Sequence, residues 1–267
     1  MLAKTQAVVL KSMKFRDTSK IVTFYTRDYG KLKAVAKGAR DTKSKFGAAL
    51  EPMTHVGLVI YKKQNRDLQL ISQCDILSFY KRIHSEIQRM STALTMVELM
   101  DRVTHHEEEN AGLFSLIIDC LEALEKSEGN FQLLLPVFEL RMASQLGYAP
   151  SLEKCANCGK ALQTFDPKDL GMFQVTKGAV LCPICLERPS ETGMLGDVRF
   201  QGGRKASMKT LNVLRMFLEE RLDSIPSIEY DEVTGNEIDE TLRLYLRHHF
   251  EDLRLLKSTE IFQKLLV

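Results

Sequence analysis

The chain has 267 residues and a formal net charge of +2. It is 44% hydrophobic and 27% charged, the balance of an ordinary globular protein with enough length for two or three domains. No apolar run approaches the roughly 20 residues that a membrane-spanning helix needs. The opening Met1-Leu2-Ala3-Lys4-Thr5-Gln6 does not read as a secretory signal, so a cytosolic protein is expected. The charge is unevenly spread. Residues 1–80 carry 15 Lys/Arg against 6 Asp/Glu, whereas residues 81–154 carry 7 against 12. A basic first third suggests an anionic partner for that third alone.

The elements follow in chain order. Thr5 to Lys11 and Lys20 to Thr26 are rich in β-branched and aromatic residues, which suits strands. Asp28-Tyr29-Gly30 is a turn signal, and Lys31 to Lys37 partly alternates charged and apolar residues. Thr54 to Lys63 and Leu68 to Ile76 form two further runs, joined by a hairpin-like Gln64-Asn65-Arg66-Asp67. Five short strands in so few residues predict a small closed barrel or sandwich. A five-stranded oligonucleotide/oligosaccharide-binding (OB) barrel is one solution, and periodicity does not separate it from an SH3-like barrel.

Beyond Phe79 the period becomes helical. Ile83, Ile87, Met90, Leu94, Val97 and Met100 recur at spacings of three and four. Further helices are predicted over Leu113 to Leu124, Phe131 to Leu146, Met208 to Leu222 and Ile238 to Leu253, with a short one near Ile261. Pro136 falls in the first turn of the helix from Phe131 or kinks it, and Gly147 with Pro150 ends that helix. Gly193 to Gly203 reads as a glycine-rich loop. The whole is an α+β multidomain chain.

The cysteines carry the strongest chemical signal. Cys155-Ala-Asn-Cys158 and Cys182-Pro-Ile-Cys185 are two CxxC knuckles separated by 23 residues. Each knuckle aims two thiolates at one point, and together they complete a tetrahedron for one Zn2+. Four thiolates leave no open position, so the ion would be structural. Pro167, Gly171 and Gly178 in the insert suit a β-ribbon. Cys74 and Cys120 stand alone in apolar surroundings and read as core thiols.

The second signal is the basic segment Lys37-Gly-Ala-Arg40-Asp-Thr-Lys43-Ser-Lys45-Phe46-Gly47. Lysine and arginine neutralise phosphates, and an exposed phenylalanine stacks on a base. Lys14-Phe15-Arg16 repeats the theme. The bland alternative is a solvated loop with Phe46 tucked into the core. Lys43-Ser44 after Gly38 lacks the second glycine of a phosphate-binding P-loop, and no helical pattern follows it. The adjacent pairs His105-His106 and His248-His249 point in different directions on a helix, so neither pair is a natural ligand pair.

At these residues the chain resembles the RecO family of bacterial DNA repair proteins. The resemblance lies in Asp17-x-Ser19-Lys20-Ile21-Val22-Thr23-Phe24-Tyr25-Thr26, Gly30-Lys31-Leu32, and Ala34-Val35-Ala36-Lys37-Gly38-Ala39-Arg40. It continues in Lys43-Ser44-x-Phe46-Gly47-Ala48-x-Leu50-Glu51-Pro52, Phe138-Glu139-Leu140-Arg141, Leu146-Gly147-Tyr148-x-Pro150-x-Leu152 and both CxxC knuckles. It implies an N-terminal OB-fold over 1–80, a helical domain in two parts over 81–151 and 188–267, and an inserted four-cysteine zinc module over 152–187. It further implies a cytoplasmic, nucleoid-associated mediator of DNA repair and recombination. Such a protein binds single- and double-stranded DNA and anneals complementary strands. It acts with RecR to load RecA onto DNA coated by single-strand DNA-binding protein, and its helical domain binds that protein's C-terminal tail. The expected phosphate contacts are Arg16, Lys37, Arg40, Lys43 and Lys45, with Phe46 stacking. Arg89, Arg102 and Arg141 are candidate tail contacts because they are basic on apolar helices. No bond is cleaved in this scheme, so no enzyme is expected. Two other readings stand beside it: a zinc adaptor that binds only proteins, and a metal-dependent nuclease or deaminase. The deaminase is disfavoured by the lack of a His-x-Glu near the cysteines.

Overall fold

The computed structural model describes residues 1–63, 66–187 and 202–253. The chain divides into two compact units, the first over Met1–Gln132 and the second over residues 133–253.

In the first unit five strands close into a barrel. They are β1 (Leu2–Phe15), β2 (Ser19–Thr26), β3 (Gly30–Ala36), β4 (His55–Tyr61) and β5 (Leu68–Ser78), in the order β1-β2-β3-β5-β4. β1 is much longer than the Thr5 to Lys11 run predicted. A bulge between Val9 and Lys11 lets its first half pair with β4 and its second half with β2; a bulged strand bends and so serves both sides of a barrel. Closure is made by the parallel pairing of β3 with β5. This is the OB arrangement, which resolves the choice that periodicity left open. Val9, Val22, Phe24, Leu32, Val56, Leu58 and Ile60 fill the interior. Of the predicted hairpin turn, Gln64 and Asn65 lie outside the described residues.

Helices α1 (Lys81–Ser85), α2 (Ile87–Val103) and α3 (Ala111–Lys126) complete this unit. The predicted stripe breaks at Glu86, whose backbone is extended. The register restarts there, so Ile87 is 50% exposed and the buried line of α2 runs through Arg89, Ala93, Met96, Met100 and Val103. The Glu125 carboxylate of α3 accepts from the amides of Arg82 (3.0 Å) and Ile83 (3.0 Å), satisfying the orphan donors at the start of α1.

The second unit holds α4 (Leu134–Gln145), β6 (Ser151–Cys155), β7 (Leu170–Gln174), β8 (Ala179–Leu181), α5 (Pro183–Glu187), β9 (Gly203–Ser207), α6 (Met208–Glu219) and α7 (Glu232–His249). Pro136 sits in the first turn of α4, where its missing N–H is harmless. Gly147 ends that helix at a φ of +91°. The four strands form one sheet in the order β6-β8-β7-β9. β9 begins at Gly203, where a loop was expected. It carries no apolar alternation, and only its Ala206 is buried. Most of the predicted Gly193 to Gly203 loop and the short helix near Ile261 lie outside the described residues. α7 starts six residues earlier than its apolar pattern suggests, because Asp231 caps it by accepting from the Thr234 amide at 2.8 Å.

Candidate metal centre and nucleic-acid interface

β6 and β8 lie side by side and parallel. Their C-terminal ends therefore deliver the two knuckles to one place, 23 residues of insert notwithstanding. The first knuckle turns tightly after β6, with the Gly159 amide donating to the Cys155 carbonyl (2.9 Å) and Gly159 at a φ of +70°. The second passes from β8 into α5, with the Leu186 amide on the Cys182 carbonyl (2.9 Å).

The four sulfurs lie within 4.8 Å of one another. Cys158 Sγ and Cys182 Sγ are 3.7 Å apart. A tetrahedral ion with Zn–S bonds of about 2.3 Å would set its sulfurs about 3.8 Å apart, so the donor set fits such an ion. The Cys182 amide donates to Cys155 Sγ at 3.3 Å. Burial raises the Cys155 thiol, but the amides of Cys158, Cys182 and Asn157 outweigh it and bring the thiol below its ordinary range. Asn157 Nδ2 donates to Cys185 Sγ at 3.3 Å. Sequence reasoning passed over Asn157, although its place inside the first knuckle was the signal. Cys155, Cys182 and Cys185 are buried and Cys158 is exposed. Cys74 and Cys120 are buried core thiols as expected, and burial pushes Cys74 up to about 12.

The basic residues group around the β1–β2 turn and the loop after β3. Arg40 donates from Nη1 to the carbonyls of Arg16 (3.1 Å) and Asp17 (2.7 Å), and its amide donates to the Thr18 carbonyl (2.9 Å). This brings Arg16 and Arg40 together and holds the turn, in which Arg16 has a φ of +53°. Left-handed backbone at a non-glycine residue costs about 1–2 kcal/mol, which the Arg40 clasp offsets. Lys37 and Lys43 are exposed and have no ion pair among the described residues. Lys45 is pinned by its Nζ to the Ser72 carbonyl of β5 at 2.7 Å.

Phe46 is not a stacking residue. It is 4% exposed and belongs to the barrel core, with Lys45 Nζ 5.2 Å from its ring centre. The loop needs an apolar anchor where it re-enters the barrel, and Phe46 is the only aromatic in it.

Arg89 is likewise not a surface contact. It is 3% exposed, pairs through Nε with Glu86 (2.7 Å) and donates to the carbonyls of Leu124 and Ser127 at the end of α3. Its guanidinium lies 4.2 Å from the Phe131 ring centre. Arg141 donates to the carbonyls of Phe217 (2.7 Å) and Glu220, closing the end of α6. Arg102 pairs with Glu98 at 2.7 Å on its own helix.

A closed five-stranded barrel of the OB arrangement with cations gathered on its loops, in a chain that also carries four cysteines placed to hold a metal, defines an OB-barrel protein with a candidate metal centre. The comparisons with known proteins agree. Residues 1–80 match the family model "Recombination protein O N terminal" and residues 84–259 match "Recombination protein O C terminal". A DNA repair protein RecO from Chloroherpeton thalassium is 30% identical over 267 residues, covering 99% of both chains. One from Chlorobium limicola is 38% identical over 187 residues, or 68% of this chain and 71% of that one. One from Prosthecochloris aestuarii is 32% identical over 257 residues, or 94% of this chain and 93% of that one. The chain belongs to the RecO family of DNA repair proteins. No described helix is long and apolar enough to cross a membrane.

Proposed function

We propose that the protein is a recombination mediator that works by binding DNA rather than by breaking bonds. The observation that carries this reading is the cluster of exposed cations, Arg16, Lys37, Arg40 and Lys43, on adjoining loops of an OB barrel. They neutralise the phosphates of two complementary strands, lower the repulsion between them and let the bases meet. The partners in this scheme are single- and double-stranded DNA, RecR, the C-terminal tail of single-strand DNA-binding protein and, indirectly, RecA. Residues 1–80 bind nucleic acid, residues 152–187 hold the metal, and the helical parts over 81–151 and 188–267 meet protein partners, with Arg102 and Arg141 as the remaining tail-contact candidates. No catalytic residue is assigned, and the place of action is the cytoplasm at the nucleoid.

Cys155, Cys158, Cys182 and Cys185 would hold one Zn2+. When bound, it supplies a cross-link between the two knuckles and no reaction chemistry. Asn157 and the Cys182 amide orient the sulfurs for it.

The test is annealing of two labelled complementary oligonucleotides across a salt series, with and without single-strand DNA-binding protein. Acceleration that fades with salt and persists on coated strands supports the reading. No acceleration by folded, zinc-loaded protein refutes it and favours the protein-binding adaptor.

A further inference from the structure

The four sulfurs of the candidate metal centre are not equivalent. Cys155, Cys182 and Cys185 are 3%, 0% and 3% exposed, whereas Cys158 is exposed. Its neighbours in the turn after β6, Asn157, Gly159 and Lys160, are exposed as well, so the first knuckle presents this one sulfur outward. The N–H donors fall on the other three. Cys155 Sγ accepts from the amides of Cys158, Cys182 and Asn157. Cys185 Sγ accepts from Asn157 Nδ2 at 3.3 Å, and Cys182 Sγ accepts from the Cys185 amide. No N–H donor reaches Cys158 Sγ among the described residues; its contact is Cys182 Sγ at 3.7 Å.

A closed four-thiolate ion has no open position and so no reaction of its own. Its ligands are nevertheless thiolates, the form of cysteine that attacks a peroxide. Which of the four reacts is decided by access and by the lone pair left free. An N–H bond to a thiolate draws on the electrons with which it attacks, so the sulfur without one is the better nucleophile. Both criteria select Cys158, and its 3.7 Å neighbour is the sulfur placed to attack it in turn.

We propose that Cys158 is an oxidative modification site, at which hydrogen peroxide converts the metal centre into a Cys158–Cys182 disulfide and expels the ion. The proposal rests on the reading of the four cysteines as holding Zn2+ and adds a regulation of that site. The Cys158 thiolate attacks one oxygen of the peroxide, the O–O bond breaks and hydroxide leaves, so that Cys158 becomes a sulfenic acid. The Cys182 thiolate then attacks the Cys158 sulfur; the S–S bond forms, the S–O bond breaks and a second hydroxide leaves. Two thiolates together lose two electrons, one peroxide gains them, and two protons from solvent turn both hydroxides into water. Zinc loses two of its four ligands and is released. The bridge joins the turn after β6 to the start of α5, the same two segments that the ion links. The oxidised module therefore keeps its cross-link while losing its metal, and reduction in the presence of zinc restores the centre. A disulfide within either knuckle would leave the two segments untied.

The test is oxidation of the full, zinc-loaded chain. Metal per chain is measured first by atomic absorption; a chain that takes up no zinc overturns the metal reading and the switch with it. The loaded protein then meets graded hydrogen peroxide, with and without dimedone to trap sulfenic acid. Released zinc is followed with 4-(2-pyridylazo)resorcinol, remaining thiols are blocked with N-ethylmaleimide, and peptides are mapped by fragmentation in a mass spectrometer. Dimedone is expected on Cys158. Without it, a Cys158–Cys182 disulfide should form in step with zinc release, one ion per disulfide, while the buried Cys74 and Cys120 stay unmodified. Dithiothreitol with added zinc should return the chain to its starting metal content. First reaction at Cys155, Cys182 or Cys185, pairing within a knuckle, or zinc retained while Cys74 and Cys120 oxidise overturns the proposal and leaves the metal reading intact. A second measurement uses zinc-loaded Cys158→His, which keeps a ligand at this position without the oxidisable sulfur. Peroxide-driven zinc release several-fold slower than wild type supports the site, and release at the wild-type rate refutes it.

Discussion

Arg89→Ala distinguishes a guanidinium that builds the fold from one that meets a partner. In the wild type the Arg89 side chain is 3% exposed and satisfies Glu86, the Leu124 carbonyl and the Ser127 carbonyl while lying against Phe131. Removing one member of a buried ion pair costs about 3–5 kcal/mol. Glu86 is 43% exposed and regains water, so the lower end applies. The residual loss comes from the carbonyls at the end of α3, which lose charge-assisted bonds of about 1.5 kcal/mol each, giving about 3 kcal/mol in all. At about 2–4 °C per kcal/mol for a chain of this size, the melting midpoint should fall by about 6–12 °C. Circular dichroism at the helical band reads the midpoint. Arg89→Lys keeps the charge but not the planar fork, so it should fall in between. A fall below about 2 °C would refute the reasoning, since it would mean the buried carbonyls lose nothing of consequence. Loss of binding to an acidic peptide in such a fully stable variant would restore Arg89 as a partner contact.

Four further outcomes are expected. Cys155→Ser with Cys182→Ser should abolish zinc binding, read as metal per chain by atomic absorption, while oligonucleotide affinity of the barrel persists; retained metal would show that other ligands hold it. Lys37→Ala with Lys43→Ala should reduce the slope of log K against log salt on single strands by about 1.4, at about 0.7 per phosphate contact; an unchanged slope removes these residues from the interface. Arg40 and Lys45 are poorer choices for that test because each also holds backbone. Gly30→Ala should destabilise the first unit by more than about 1 kcal/mol, because Gly30 has a φ of +57° and a Cβ there would lie 2.1 Å from the Glu108 carbonyl; a melting midpoint equal to wild type contradicts that close approach. Burial, and then the Asp239 carboxylate, hold the Glu139 carboxyl up at about 8 against an ordinary value of 4.5. The folded state therefore binds this proton more tightly than the unfolded one. Its contribution is complete below about pH 4.5 and is lost as pH rises through about 8. Thermal stability should decline between about pH 5 and about pH 8, and Glu139→Gln should flatten the decline; an equal decline in the variant would rule Glu139 out.

The sequence by itself determined those features whose physics is local. Two CxxC knuckles fold tightly wherever they fall, so the cysteine spacing named all four members of the sulfur cluster before any strand was placed. β-branched runs broken by Asp28-Tyr29-Gly30 marked separate strands, and the excess of lysine and arginine marked the first third as the basic part of the chain. Side-chain fate was decided elsewhere. Whether Phe46 stacks on a base or anchors a loop depends on the barrel interior, and the core took it. Arg89 read as a free cation because the carbonyls it satisfies lie 35 and 38 residues away on another segment. β9 has no strand pattern of its own and exists because β7 offers it an edge. Register places Lys11 opposite Thr23, Thr23 opposite Lys33 and Lys33 opposite Leu68, joining four segments in a way that no single stretch of chain encodes. Local spacing sets what a residue is able to do, but burial and long-range pairing, which depend on the whole chain at once, decide which of those things it does.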